Sequence, residues 1–156
     1  MSKIPRLLAI DFGQHTGWCM SHPIKKCGVT KLPDEGREDA YIALLCKLIK
    51  EAKPSAVIFE NVTSIYQHGK GAFSAHWWGY YHHEMQRICR RLGIETVGVG
   101  TTEHKFFATG KGRAPKADMI RAATQYGYIT KDDNAADAAL LLEYALHNNL
   151  VQITER

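Results

Sequence analysis

Two apolar runs in this sequence end at a carboxylate, and both are predicted to be buried strands. RLLAID, residues 6–11, ends at Asp11, and SAVIFE, residues 55–60, ends at Glu60. Short runs of aliphatic and aromatic residues are typical of strands inside a sheet. Both carboxylates can therefore lie at the same edge of one sheet, provided that the other elements bring these two strands together.

The order of the remaining periodic segments predicts a mixed sheet. Strands are predicted at residues 6–11, 16–21, 27–32, 55–60 and 94–99. Helices are predicted at residues 37–53, 72–92, 115–126 and 132–148, with a further short helix that Thr101 or Thr102 can cap. This order indicates an α/β fold whose five-stranded sheet is antiparallel over its first three strands and parallel afterwards, with helices on both faces.

Length and composition predict one domain over residues 1–156. A chain of this size with 45% apolar residues can bury a core without metal or disulfide staples, and it contains no linker or repeat. Its apolar runs are short and broken by charge, so we expect no membrane segment or signal peptide, and a cytoplasmic protein in a bacterial cell or phage-infected host. The four cysteines lack the Cys-x-x-Cys spacing of zinc ribbons and redox motifs.

A third group of acidic residues opens the last predicted helix. Within KDDNAADAALL, Asp133 and Asp137 are four residues apart and Asn134 and Asp137 three apart, so either pair shares a helix face. Each acid alone needs no functional role, because carboxylates at helix starts favour the helix dipole and those at strand ends are often solvated. Together with Asp11 and Glu60, however, they predict a cluster that is costly unless cations neutralise it. Oxygen donors without cysteine favour Mg²⁺ or Mn²⁺, and two such ions can clamp a phosphodiester.

Three motifs carry a resemblance to a known family. IDFGQHTGW, VIFENV and DDNAADAALLL, in this order and spacing, resemble the motifs of RuvC-type Holliday-junction resolvases, particularly the compact phage versions, which belong to the RNase H-like superfamily. The resemblance extends from about residue 6 to residue 147. It implies an RNase H-like fold in which Asp11, Glu60 and Asp137 are catalytic ligands of two Mg²⁺ ions, for which Mn²⁺ can substitute.

One acidic position of the family is changed in this chain. The family has an acid three residues before the last Asp, and Asn134 stands there. Either Asn134 is a weak ligand or Asp133 takes its place. We expect Asn134 to lie nearest the metal ions, because packing of the apolar face of the last helix fixes its rotation, and Asp133 to hold a water molecule further out.

A basic segment follows the fifth predicted strand. KFFATGKGRAPK contains no acid, and its basic residues are Lys105, Lys111, Arg113 and Lys116. The net charge of +4 permits a polyanionic partner without requiring one, and the segment alone is also typical of a solvated loop. The resemblance matches two catalytic lysines of the family to Lys105 and Lys116. An ammonium beside a reacting phosphate stabilises developing negative charge, and we expect Lys111 and Arg113 to bind DNA as well.

Aromatic residues after Glu60 are candidates for base stacking. Resolvases of this type carry an aromatic there that wedges into the junction centre, whereas this chain has Thr63. Tyr66 or Phe73 can stack on an exposed base, with Lys70 between them for a phosphate, or the rings can pack on their own domain. The aromatics of the following helix point in too many directions for one core stripe. The resemblance implies a homodimer that presents two active sites to a four-way junction.

The sequence thus predicts a divalent-metal-dependent crossover junction endodeoxyribonuclease that acts on branched DNA in recombination, repair or phage genome processing. One alternative is an RNase H-like nuclease for an RNA–DNA hybrid or structured RNA. Another is a catalytically weak junction-binding module, which the amide at position 134 leaves open. Actin-like ATPases share an Asp-x-Gly after their first strand, but they need two such domains and a second phosphate loop.

Overall fold

The computed structural model describes residues 3–62 and 71–152. The strands are β1 (Leu7–Asp11), β2 (His15–Met20), β3 (Lys26–Lys31), β4 (Ala56–Asn61) and β5 (Glu95–Gly100). The helices are α1 (Arg37–Ala52), α2 (Gly71–Leu92), α3 (Thr101–Thr109), α4 (Lys116–Gln125) and α5 (Asp133–His147). None of the helices in these ranges is long and apolar enough to cross a membrane.

The five strands form one mixed sheet in the order β3-β2-β1-β4-β5, which confirms the predicted fold class. β1, β2 and β3 pair antiparallel, whereas β4 pairs parallel with both β1 and β5. In the pairing of β1 with β4, Ile10 lies opposite Phe59. The next residues, Asp11 and Glu60, therefore lie side by side at the carboxyl-terminal edge of two neighbouring strands.

Helices cover both faces of the sheet, so the pleated strands contribute to two hydrophobic cores. Leu7, Ala9 and Ile58 pack in the core on the α5 side, where α3 and α4 also lie. Leu8 and Ile10 pack in the other core, against α1 and α2. Successive side chains of a strand point to opposite faces, which explains this alternation along β1.

The same alternation assigns both strand-end carboxylates to the α5 side of the sheet. Asp11 is two residues beyond Ala9, and Glu60 is two residues beyond Ile58, and both of these apolar residues pack in the core that contains α5. α5 is the helix that carries Asp137. The strand pleat and the sheet order thus direct acids from distant parts of the sequence toward one place.

α5 is held by polar contacts near both of its ends. At its start, the Asp132 carboxylate accepts hydrogen bonds from the backbone N–H groups two and three residues later, at 2.8 and 3.1 Å. The helix therefore begins one residue after the predicted position, because Asp132 is its cap. Near its end, the buried Glu143 carboxylate accepts hydrogen bonds from Lys25 Nζ and the Tyr128 hydroxyl, both at 2.7 Å.

The first turn of α5 packs directly on the backbone of β2 at Gly17. A Cβ at this position would lie 2.1 Å from the carbonyl oxygen of Asn134, well inside van der Waals contact. Gly17 is also the residue of β2 that pairs with Asp11. The missing side chain therefore allows the start of α5 to approach the strand pair that carries Asp11.

Gly17→Ala is expected to destabilise the protein by roughly 1–3 kcal/mol, because the backbone of α5 must shift to admit the methyl group. Chemical denaturation followed by circular dichroism measures this loss. Gly13→Ala is the matched control, since a Cβ there would lie 3.6 Å from the nearest atom outside its chain neighbours. Equal losses in the two variants would contradict the assignment of close packing to Gly17.

Candidate active site

Four carboxylates influence one another where β1, β4 and α5 meet. Burial raises the pKa of Asp11 well above its usual value of 3.8, and the charges of Asp137, Glu60 and Asp133 raise it further. Lys105 acts in the opposite direction. Acids from all three predicted motifs are therefore near enough to repel one another at Asp11.

The pKa of Asp137, which lies on α5, shows the same repulsion. Burial, followed by the charges of Glu60 and Asp133, raises its pKa from a usual 3.8 to about 7. Lys105 and Lys116 both lower the pKa, but they offset only part of the increase. The ionised form of Asp137 is consequently disfavoured in the folded protein near neutral pH unless further positive charge arrives.

The donor set fits a divalent cation in its chemistry and charge. The carboxylates of Asp11, Glu60 and Asp137 supply oxygen, as do Asp133 and the Asn134 amide, and hard oxygen donors suit Mg²⁺ and Mn²⁺. Within residues 3–62 and 71–152, no three His, Cys, Asp or Glu side chains stand close enough together to hold an ion. Shared coordination would therefore require these side chains to draw together.

Asp133 and Asn134 occupy different surroundings on the first turn of α5. Asp133 Oδ2 lies 3.3 Å from the Nζ of Lys116, which starts α4. Asn134 donates its backbone N–H to the Asp132 cap, and its carbonyl oxygen faces Gly17. The choice of Asn134 as the fourth ligand stays a prediction, and Lys116 supplies a positive charge beside Asp133.

The two candidate catalytic lysines differ in exposure. Lys105 is half-buried and acts on the pKa of both Asp11 and Asp137. The Lys116 side chain is 82% exposed, although its ammonium contacts Asp133. Lys105 therefore lies within the site and lowers the pKa of its carboxylates. Lys116 lies at the rim of the site, with most of its side chain in solvent.

Glu60 has a hydrogen-bond partner that the sequence did not suggest. The Thr101 hydroxyl donates to Glu60 Oε1. The expectation that Thr101 or Thr102 caps α3 is wrong, because Gly100 is the N-cap and no side chain makes a capping bond there. A threonine between a strand and a helix is so typical of a cap that nothing in the pattern pointed to Glu60.

The predicted DNA-binding residues within the described ranges lie in two places, the segment from α3 to the start of α4 and the start of α2. Lys111 and Arg113 are exposed on the segment between α3 and α4, and Lys111 Nζ lies 3.7 Å from Asp118. Phe73, on the first turn of α2, is 70% exposed. Tyr66 and Lys70 lie outside the described residues.

Aromatic packing beside Asp11 accounts for much of the composition of α2. Phe12, which follows Asp11, has ring centroids 6.2 Å from Trp78 and 6.4 Å from Tyr81. Tyr81 is buried, whereas Trp77 and Trp78 are half-buried. Most of these rings thus pack on the sheet and on one another, and the exposed aromatic surface is concentrated at the start of the helix.

Comparison with solved structures identifies the fold. RuvC from Thermus thermophilus matches with a TM-score of 0.70 and 19% identity, covering 93% of this chain and 96% of that one. T. thermophilus RuvC in complex with a Holliday junction substrate matches with a TM-score of 0.74 and 18% identity, covering 94% of this chain and 96% of that one. The yeast mitochondrial Holliday junction resolvase Ydc2 matches with a TM-score of 0.60 and 13% identity, covering 91% of this chain and 78% of that one.

No protein-family model and no curated protein sequence matches this chain. The likeness establishes the RNase H-like fold of RuvC for this chain.

In metal-free protein, Asp137→Asn is expected to increase the free energy of unfolding. The pKa of this carboxyl is raised to about 7 in the folded state, so the wild type loses stability as pH rises from about 4 to about 7. Because one unit of pKa corresponds to about 1.4 kcal/mol, the gain should reach about 1 kcal/mol or more above that range.

Thermal melting in a chelator measures this gain, which should be larger at about pH 8 than at about pH 4.5. Asp39→Asn, an exposed substitution on α1, is the control. A melting temperature of Asp137→Asn below that of the wild type at the higher pH would contradict the assignment of repulsion to this carboxylate.

Proposed function

We propose that this protein is a divalent-metal-dependent endonuclease that cuts phosphodiesters in branched DNA, as at a four-way junction. The observation that carries the proposal is the convergence of Asp11, Glu60 and Asp137 at one edge of a RuvC-like sheet. One of the matching structures is a RuvC bound to a Holliday junction substrate, which supports branched DNA as the substrate class. Recombination, repair or phage genome processing in the cytoplasm would supply such DNA.

The carboxylates would hold two Mg²⁺ ions, or Mn²⁺ in their place. When bound, such ions activate a water molecule and stabilise the leaving oxygen of a phosphodiester. The protein contributes oxygen donors from three separate segments, two strand ends and one helix. The repulsion that raises the pKa of Asp11 and Asp137 favours cation binding, because a divalent ion relieves it.

The lysines would act on the phosphate in different ways. Half-buried Lys105 keeps a fixed positive charge beside the carboxylates, where charge develops during cleavage. Lys116 presents a flexible ammonium at the rim, and a DNA phosphate can compete with Asp133 for it. Lys105 is thereby suited to the reacting group, and Lys116 to holding the strand in position.

Binding to DNA would depend mainly on phosphate contacts with the exposed residues Lys111, Arg113 and Lys116. Each such contact releases condensed counterions, so affinity should fall steeply with salt. Exposed Phe73 offers a ring for stacking on an unpaired base near the junction centre. Tyr66 and Lys70, which lie outside the described residues, are further candidates for contact with DNA.

A homodimer would suit a four-way junction, which presents two equivalent strands for cutting. The partly exposed rings of Trp77, Trp78 and Tyr80, further along α2, provide apolar surface for such an association. Sedimentation at micromolar concentration measures the oligomeric state. Dimerisation is part of this proposal and not a condition for the chemistry of a single site.

The central experiment offers the protein a synthetic four-way junction, a flap, a linear duplex and an RNA–DNA hybrid, each with Mg²⁺ and with a chelator. We expect Mg²⁺-dependent cutting of the junction in preference to the duplex. Preferential cutting of the hybrid would assign the protein to a different RNase H-like activity. Tight junction binding without cutting in Mg²⁺ or Mn²⁺ would assign it to a junction-binding module.

Asp11→Asn, Glu60→Gln and Asp137→Asn should each abolish junction cutting and leave junction binding in a chelator largely unchanged. Each substitution removes one charged oxygen donor, whereas affinity comes mostly from phosphate contacts. Gel-shift and cleavage assays on the same junction measure the two properties. Near-normal cutting by any one variant would remove that residue from the site.

The fourth ligand can be identified by comparing two neighbouring positions. We expect Asn134→Asp to retain or tighten metal binding, and Asp133→Asn to reduce cutting less than Asp137→Asn does, because Asp133 is already paired with Lys116. Metal titration and junction cleavage measure both effects. If Asp133→Asn is as inactive as Asp137→Asn while Asn134→Ala cuts normally, Asp133 is the ligand.

A further inference from the structure

Glu60 is the carboxylate of the candidate site whose orientation is controlled from α3. Its Oε1 accepts a hydrogen bond from the Thr101 hydroxyl. Holding Oε1 in this way restricts rotation of the carboxylate, so its remaining lone pairs face a cation in a defined orientation. A carboxylate that is hydrogen-bonded through one oxygen has fewer rotamers to lose when the other oxygen binds a metal.

The backbone fixes the position of Thr101 relative to Glu60. In the parallel pairing of β4 with β5, Glu60 lies opposite Val99 and Asn61 lies opposite Gly100. Thr101 is the next residue and the first of α3. The hydroxyl therefore reaches Glu60 from a neighbouring strand through a short, regular segment and not from a long loop.

A buried imidazole, that of His104, lies near the Glu60 carboxylate that accepts this hydrogen bond. His104, one turn further along α3, is 0% exposed, and its Nδ1 lies 3.5 Å from the Gly100 carbonyl oxygen. Among the described residues its Nε2 has no hydrogen-bond partner. Burial lowers the pKa of His104, and the charge of Glu60 opposes this shift, which places the ring near that carboxylate. Exclusion of water on this side strengthens the hydrogen bond between Thr101 and Glu60.

We propose that Thr101 is a positioning residue, whose hydroxyl fixes the Glu60 carboxylate in the orientation that binds the metal ion. Thr101 does not touch the ion or the DNA and acts through Glu60. This inference rests on the proposed metal-dependent function and deepens it by adding the residue that orients one of the ligands. Outer hydrogen bonds of this kind generally tune metal affinity as strongly as they tune activity.

The test is Mg²⁺ and Mn²⁺ titration by calorimetry in the absence of DNA, with junction cleavage as a second measurement. Thr101→Val keeps the shape of the side chain and removes the donor, so metal affinity should fall about 10-fold to 100-fold. Thr101→Ser retains a hydroxyl and should restore most of it. Thr102→Val is the matched control, because Thr102 is the exposed neighbour on the same helix and makes no hydrogen bond to Glu60.

A double-mutant comparison separates positioning from a general effect on folding. In a Glu60→Gln background, Thr101→Val should cause little further loss of metal affinity, since the group it orients has lost its charge. Wild-type affinity in Thr101→Val, or an equal loss in both backgrounds, would overturn the inference. If the wild type itself binds neither ion, the proposed metal-dependent function fails together with it.

Discussion

The contact between the first turn of α5 and the backbone of β2 is the constraint on which the candidate site depends. It brings the helix that carries Asp137 against the sheet that carries Asp11 and Glu60, and it exists because residue 17 has no side chain. The Asp132 cap fixes where this turn begins, and the buried Glu143 cluster holds the other end of the helix. These contacts together fix the position of Asp137 relative to the two strand ends.

Bringing these acids together has an energetic cost that the fold does not offset by itself. Nearby lysines relieve part of the repulsion, yet the pKa values of Asp11 and Asp137 remain raised. In ordinary buried sites such carboxylates are paired one to one with a cation. Here the excess negative charge is concentrated at one edge, which is the condition under which a divalent ion binds best.

Much of the fold could be predicted from the sequence, because the strands and helices have clear periods and their order allows few topologies. Asp11 and Glu60 stood out since each ends an apolar run, and the alternation of the strand pleat then fixed their side of the sheet. Gly17 could not be identified in this way. Its role arises from the approach of a helix more than a hundred residues later in the chain, whereas a glycine close to a turn usually serves only the turn itself.

The roles of the Thr101 and Asp132 side chains likewise could not be predicted from the local sequence. Both are residue types that favour helix starts, but Asp132 caps its helix and Thr101 contacts a carboxylate on a neighbouring strand. Local pattern cannot separate these outcomes, since the deciding factor is the pairing of β4 with β5.

The location of Asp137 on α5 also has a consequence for the time at which the site forms during synthesis. Asp11 and Glu60 belong to strands made early, whereas α5 is the last helix of the described chain. A ribosome-bound chain can pair β1 with β4 well before Asp137 leaves the exit tunnel. The complete set of acids therefore arises only after α5 has emerged and docked, so a nascent chain that exposes only β1 to β4 carries an incomplete site.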